Sequence, residues 1–380
     1  MRNAFVVFIF TSLVHAIVVS AQSPLTMDSP APGQFGLNYA SSLNHPWRLM
    51  ASDDLTLWRY DPAVTVGNGG VQSVIKSAAG VERRFWRVTD FPPDAGYKMT
   101  AGPYTVAPFA DESWVDTARG YTMPVRIYAP AIGQGGAPFP IVVLSHGLSG
   151  SIGAFDTLSA YLASHGYICL MIEHDDTRTL SRVARPLDVT FAIDVLLASP
   201  THPLLAGRVD GARIAHSGHS FGAFTTLAVL GAQYHITDNE ASAIVSYPDA
   251  RVKCGVPLSP QGATTLGLFS GSWDLITRPS LTMHGTLDTA PGTPVAITRR
   301  QPYDEMPAGN KAHLTLDEGI HSDFSDTGIA DHGNYYSRWY FPAMLAFLDT
   351  HLSGNATAAA WLDALTLTRL SSGVVLLETK

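Results

Sequence analysis

The sequence predicts an α/β protein, a mostly parallel sheet with helices on both of its faces. Three observations carry that expectation. Short, wholly apolar runs of β-branched residues, of which Ile141-Val-Val-Leu is the clearest, read as strands covered on both sides. Segments with apolar residues at helical spacing stand between these runs, and strands separated by helices pair in parallel. The composition permits the core such a sheet needs: of 380 residues, 46% are hydrophobic and 15% charged, too apolar a mixture for a disordered chain.

The first 21 residues read as a removable export signal. Arg2 supplies a positive charge, Ala4 to Val19 is mostly apolar, and Val19-Ser20-Ala21 offers small residues for cleavage before Gln22. Polar Thr11, Ser12 and His15 interrupt a run already short of the roughly 20 residues that span a bilayer, so the expectation is a secreted or periplasmic protein with no stable membrane insertion. Residues 22–100 form an N-terminal extension or cap, rich in Ser, Pro and Gly. Within it, Asp54 to Tyr60 alternates weakly like a strand and Gly67-Asn-Gly-Gly signals a turn.

A regular pattern begins near residue 101. Tyr104 to Phe109 and Tyr121 to Tyr128 read as strands, with Pro124 suggesting an edge or exposed position in the second. After the strand at Ile141 comes a helix with Phe155, Leu158, Tyr161 and Leu162 on one face and Gly166 placed to end it in a left-handed conformation. Tyr167 to Ile172 is the next strand. A helix follows from near Pro186, with a stripe of Val189, Ala192, Ile193, Leu196 and Leu197. Arg213 to Ser217 leads into a helix at Phe221, and Val252 to Leu258, Ser280 to His284 and His313 to Leu316 are further strands. Phe341, Met344, Leu345 and Leu348 mark a last long helix. The main domain therefore covers 101–355, and 356–380 is a C-terminal tail packed on it.

The chemistry is concentrated in Gly218-His219-Ser220-Phe221-Gly222, which stands between a strand and a helix as a nucleophile elbow requires. Glycines on both sides let strand and helix approach in so tight a turn. They hold the serine at a helix N-terminus, where backbone N–H groups favour developing negative charge. A serine hydroxyl needs a histidine base and an acid that fixes the histidine's tautomer, in the chain order Ser, acid, His. Asp288, just beyond a strand end in Met283-His-Gly-Thr-Leu-Asp, is the favoured acid over Asp304 and Asp317. His321, in a loop after the next strand, is the favoured base. His313 opens a strand, His332 lies in a polar loop and His351 sits beyond the last helix. The oxyanion donors expected are the backbone N–H groups of Phe221 and Leu148, the latter in Ser145-His-Gly-Leu-Ser-Gly, where His146 braces the loop.

Several function classes lack support. The net charge is −8 with no basic run interleaved with aromatics, so nucleic acid is not an expected partner. Glu173-His174-Asp175-Asp176 reads as a polar loop at the sheet's carboxyl edge, because adjacent loop residues point apart and no spaced second half of a metal set appears. There is no phosphate-binding glycine loop and no dinucleotide fingerprint. Neither a cofactor nor a metal is implied. Asn355-Ala-Thr is a glycosylation acceptor only in a eukaryotic setting.

Taken together, Asp116-Thr-Ala-Arg before Met123-Pro-Val-Arg-Ile-Tyr-Ala-Pro, then Ser145-His-Gly-Leu, Gly218-His-Ser-Phe-Gly, His284-Gly-Thr-Leu-Asp and Gly319-Ile-His resemble the α/β-hydrolase superfamily. The nearest branch is the dienelactone hydrolase-like and platelet-activating-factor acetylhydrolase-like serine esterases, over roughly residues 100–355. The resemblance implies an eight-stranded, mostly parallel sheet and a Ser220, Asp288, His321 triad that hydrolyses an ester. It also implies that the strands bearing Cys169 and Cys254 are not neighbours, so that these thiols do not form a disulfide. Dienelactone hydrolases proper use cysteine where this chain has Ser220, so their lactone substrate is not carried over. The expectation is an exported serine hydrolase that cleaves a small-molecule or lipid-like carboxylic ester through an acyl-enzyme. The rivals are the same triad acting on a β-diketone carbon–carbon bond or a peptide bond, and a non-catalytic binding module of the same fold.

Overall fold

The structure is a computed structural model that describes strand segments before residue 97, residues 97–362 apart from 199–200, 294 and 334, and residues 367, 371 and 374–380. The chain divides into two units, Met1–Gly96 with Thr368–Val374, and Tyr97–Leu367 with Val375–Lys380.

The described part of the first unit is antiparallel β-structure. One sheet has the order Val7–Phe10, Arg83–Asp90, Pro46–Ser52, Arg59–Val66, and a second has the order Thr26–Asp28, Gln34–Ala40, Val71–Ser77. The strand expected at Asp54 to Tyr60 is described only from Arg59 onward. The Gly67-Asn-Gly-Gly turn and the cleavage site lie outside the described residues.

The second unit is the predicted α/β structure. Its strands are β1 (Ala110–Asp116), β2 (Tyr121–Tyr128), β3 (Phe139–Ser145), β4 (Ile168–Ile172), β5 (Val209–His219), β6 (Val252–Leu258), β7 (Ser280–Gly285), β8 (Lys311–Leu316) and β9 (Val375–Thr379). Its helices are α1 (Asp156–Ser164), α2 (Ser181–Leu197), α3 (Phe221–Leu230), α4 (Gln301–Glu305), α5 (Asp326–His332), α6 (Ser337–Ser353) and α7 (Ala356–Trp361). The sheet order is β1-β2-β4-β3-β5-β6-β7-β8-β9. β3 to β8 are mutually parallel, and β2 and β9 pair antiparallel to their neighbours. Seven of the eight expected strands are present, Ala110–Asp116 stands where the remaining one was expected, and the tail adds β9 as a ninth against β8. Cys169 on β4 and Cys254 on β6 are buried free thiols, separated by β3 and β5.

Every residue of β3, β4 and β7 is buried, which is what continuous apolar runs dictate in a sheet covered on both sides. Ile141 and Val143 pack with Val189, Ile193, Phe224 and Leu227 of α2 and α3. Val142 and Leu144 point to the other face by the two-residue strand period, where α1 and α6 pack together. Parallel strands β3 to β8 all aim their carboxyl ends the same way, and that edge gathers the loops carrying Leu148, Ser220, Asp288 and His321.

The structure corrects five local expectations. Tyr104 to Phe109 is not a strand; Val106 makes an isolated bridge to Pro130, and the strand is the polar, alternating Ala110–Asp116. Pro108 removes a ladder donor from the apolar run that suggested otherwise. α2 begins at Ser181, so Pro186 lies inside it. The carbonyl of Arg182 that Pro186 leaves without an N–H instead accepts the hydroxyl of Tyr234 at 2.9 Å. Pro124 is not on an edge strand, since β2 lies between β1 and β4, but it falls just past the last β4 pair, Ile172 with Val125. His351 is within the last turn of α6, and His332 is the last residue of α5 and not part of a loop.

Candidate active site

Ser220 joins β5 to α3 with φ 55° and ψ −115°, a left-handed backbone that side chains rarely adopt. Its surroundings explain the flanking glycines. A Cβ at Gly222 would lie 2.0 Å from the carbonyl oxygen of Ser145 on β3, and one at Gly218 would lie 2.5 Å from the carbonyl oxygen of Gly222. Both obstacles are backbone, so no side chain fits while the elbow keeps its shape. Hydrogen bonds from Ser220 N to Leu258 O (2.9 Å) and from Ala223 N and Phe224 N to Ser220 O pin the strained residue between β6 and the first turn of α3.

Asp288 and His321 arrive from the loops after β7 and β8, and meet. His321 Nδ1 lies 2.8 Å from Asp288 Oδ1. Ser259, at the end of β6, completes a three-way contact: its hydroxyl donates to Asp288 Oδ2 at 2.6 Å and lies 2.7 Å from His321 Nδ1. Since that hydroxyl has one proton and gives it to Asp288, it faces Nδ1 with a lone pair. Nδ1 therefore carries the ring proton, and Nε2 is left with a free lone pair. The loops can cross because Gly285 has no side chain; a Cβ there would lie 2.1 Å from Gly319 O.

His321 sits beside the elbow. Its ring is 4.5 Å from that of His219, the residue before Ser220, and its carbonyl accepts His219 Nε2 at 2.8 Å. Burial, reinforced by His321, pushes His219 down to about 3, so it is neutral and serves as a strut.

Asp288 is fully buried and would be forced toward its neutral form by desolvation alone. The His321 hydrogen bond, the Arg299 guanidinium and the Ser259 hydroxyl outweigh that and hold the carboxyl below its usual range. Arg299, also fully buried, has Nε 2.8 Å from both the carbonyl and Oδ1 of Asp288. Its Nη1 donates to Ser259 O at 2.8 Å and Pro260 O at 3.1 Å.

Both expected oxyanion donors come from segments next to the serine. Phe221 is the first residue of α3. Leu148 follows Gly147, where a side chain would sit 3.5 Å from Ser220 Cβ, so its loop passes directly over the elbow. His146 spans that loop: Nε2 accepts from His174 N at 2.9 Å, which leaves the proton on Nδ1, 2.6 Å from Gly147 O.

The Glu173-His174-Asp175-Asp176 segment is bound into the protein. Asp176 pairs with Arg185, Asp175 caps Thr177, and His174 bridges Ser145 Oγ (2.8 Å) and Asp188 Oδ2 (2.8 Å). Ser145, His174 and Asp188 repeat the residue types of a serine triad, yet all three are buried, so substrate has no route to them and the set is internal scaffolding. The rejected acids lie elsewhere: Asp304 pairs with Arg300 on α4, and Asp317 follows β8. His313 is sealed against His284 and Thr282, and His332 bonds Asp323. Asn355 caps α7 through Thr357 N and Ala358 N. Sequence reading passed over Ser259, Arg299, Arg185 and His219. The available signals were Ser259 at a strand's carboxyl end and His219 inside the elbow motif; neither arginine carries a local signal.

Residues 86–351 match the family described as PETase, PET hydrolase-like, a span well over half of the chain. The chain is similar to cutinase est1 of Thermobifida alba, 26% identical over 237 residues that cover 59% of this chain and 71% of the relative. It is also similar to cutinase 1 of Thermobifida cellulosilytica, 27% identical over 241 residues that cover 60% and 76%. A third relative is the bis(hydroxyethyl) terephthalate hydrolase of Streptomyces coelicolor, 27% identical over 243 residues that cover 63% and 68%.

Proposed function

The chain belongs to the PET hydrolase-like family of α/β-hydrolases and is a carboxylic ester hydrolase, and from that premise we propose an exported serine esterase working through an acyl-enzyme. Ser220 Oγ attacks the ester carbonyl while His321 Nε2 takes its proton. Asp288 and Ser259 hold the ring by Nδ1 and stabilise the imidazolium that forms. The N–H groups of Leu148 and Phe221 receive the oxyanion. As the tetrahedral intermediate collapses, His321 returns the proton to the departing alcohol. Water, activated by the same imidazole, then releases the acid and restores Ser220.

One observation carries this reading: His321 is bonded through Nδ1 to buried Asp288 while its ring lies against the residue preceding Ser220. That is the arrangement a base needs if its other nitrogen is to serve a nucleophile at the elbow. Leu148 and Leu287, beside the oxyanion loop and Asp288, are 67% and 55% exposed, which favours a bulky or lipid-like ester. The relatives' names point to cutin and bis(hydroxyethyl) terephthalate as first substrates to try. Export follows from the N-terminal signal pattern, and removal before Gln22 would take the edge strand Val7–Phe10 from its sheet.

The test is active-site labelling with a fluorophosphonate, together with turnover of p-nitrophenyl esters of increasing chain length and of bis(hydroxyethyl) terephthalate. Ser220→Ala should abolish labelling and lower kcat by roughly five to six orders of magnitude. A wild-type protein that takes no label, or a variant labelled equally, overturns the assignment.

A further inference from the structure

We propose that Arg185 is the positioning residue of the oxyanion hole, fixing both of its peptides at once; the proposal rests on the reading of Leu148 and Phe221 as donors. Arg185 comes from the second turn of α2 and is 1% exposed. Its Nε and Nη2 grip Asp176 at 2.8 Å each, a two-pronged contact that fixes the plane of the guanidinium. From that plane Nη1 donates to His146 O at 2.8 Å and Nη2 to Gly147 O at 3.2 Å. Asp176 in turn accepts Ser149 N at 2.9 Å. The backbone on either side of Leu148 is thus held by one ion pair.

Peptide geometry turns this into a statement about the donor. The carbonyl of Gly147 and the N–H of Leu148 belong to the same planar unit and point in opposite directions. Whatever fixes Gly147 O therefore aims Leu148 N–H. Gly147 O is held by Arg185 and by the Nδ1 proton of His146, 2.6 Å away. The second peptide is tied in by packing: the Arg185 guanidinium carbon lies 4.2 Å above the ring of Phe221, whose N–H is the other donor. A buried arginine so engaged is unusual for that residue type, and among the described residues its hydrogen bonds end on the oxyanion loop and Asp176 while its face covers Phe221.

An oxyanion donor acts on the transition state and not on the bound ester, so misaiming it lowers kcat and leaves KM. Arg185→Lys keeps the charge opposite Asp176 but cannot reach four acceptors in one plane. With a p-nitrophenyl ester it should lose about tenfold or more in kcat, below the roughly hundredfold to thousandfold cost of a whole donor, with KM changed less than about twofold. Binding of a trifluoromethyl ketone, whose adduct with Ser220 carries an oxyanion, should weaken by the same factor as kcat. Asp176→Asn should show the same pattern at smaller amplitude, and it stands in if Arg185→Lys does not fold. A folded variant with kcat and ketone affinity within twofold of wild type overturns the proposal, as does a loss of thermal stability alone. Failure of the underlying mechanism looks different, because wild-type Ser220 would then take no fluorophosphonate.

Discussion

Replacing Arg299 with methionine tests the support behind Asp288, the proposed acid. The side chain is fully buried and meets Asp288 at two atoms while tying down the carbonyls of Ser259 and Pro260. Methionine fills similar space without charge, leaving Asp288 buried with only His321 and Ser259 to stabilise its ionised form. Breaking a buried ion pair from one side costs about 3–5 kcal/mol. At about 2–4 °C per kcal/mol for a domain of this size, Tm at pH 7 should fall by roughly 6–20 °C. The pH dependence has a definite sign. Asp288 is held below its usual carboxyl range, so its stabilising contribution is present above the unfolded value of about 4 and is lost as pH falls through the folded value. Without Arg299 the folded value rises toward or past the unfolded one, so as pH falls the variant loses less of its stability than the wild type does. Below about pH 4 the carboxyl is protonated in the unfolded chain too, and the gap between the two proteins should narrow. Urea unfolding at pH 7 and pH 4 measures this. A penalty under 1 kcal/mol at pH 7, or an equal penalty at both pH values, refutes the reasoning.

Two further substitutions probe the elbow and the base. Gly222→Ala places a methyl group 2.0 Å from the carbonyl oxygen of Ser145; because both sides are backbone, the cost should reach or exceed the upper end of the roughly 1–3 kcal/mol typical of overpacking, and calorimetry finding a Tm within 2 °C of wild type would contradict it. Ser259→Ala removes one donor from Asp288 and one acceptor from His321 Nδ1. A hydrogen bond to a charged group contributes about 1.5–3 kcal/mol, so kcat/KM should drop roughly tenfold to a hundredfold, and steady-state kinetics unchanged within twofold would show the hydroxyl to be incidental.

The parts of this protein legible from sequence are those fixed by residues near one another in the chain. β2 and β6 have the expected bounds because alternation, or an unbroken apolar run, reports burial residue by residue. The elbow is legible for the same reason: Gly218 and Gly222 answer a clash within five residues and the strand beside them. The start of α2 was misplaced because Pro186 resembles a first-turn proline, and the Tyr234 hydroxyl that makes it tolerable lies 52 residues away from the Arg182 carbonyl it satisfies. Likewise, Tyr104 to Phe109 is apolar enough for a strand, whereas β1 is an edge strand with one wet face and a polar sequence.

The same division separates the reacting groups of the site from what holds them. The proposed nucleophile, acid and base are legible from chain order and from their place at strand ends, a rule that depends on topology alone. Arg185 and Arg299 obey no such rule. Arginine in isolation reads as a surface residue, and each becomes buried only because partners from other elements, Asp176 with the oxyanion loop in one case and Asp288 with Ser259 in the other, meet its fixed fork of donors. Burying a charge is costly without such partners, so two fully enclosed guanidiniums flanking one serine locate where the fold has traded hydration for geometry. Both grip backbone carbonyls beside groups of the proposed mechanism, Gly147 next to the proposed Leu148 donor and Ser259 next to the His321 contact. Rigidity in this site is therefore supplied by charged side chains acting on main chain, and substitutions confined to the triad would leave that device undetected.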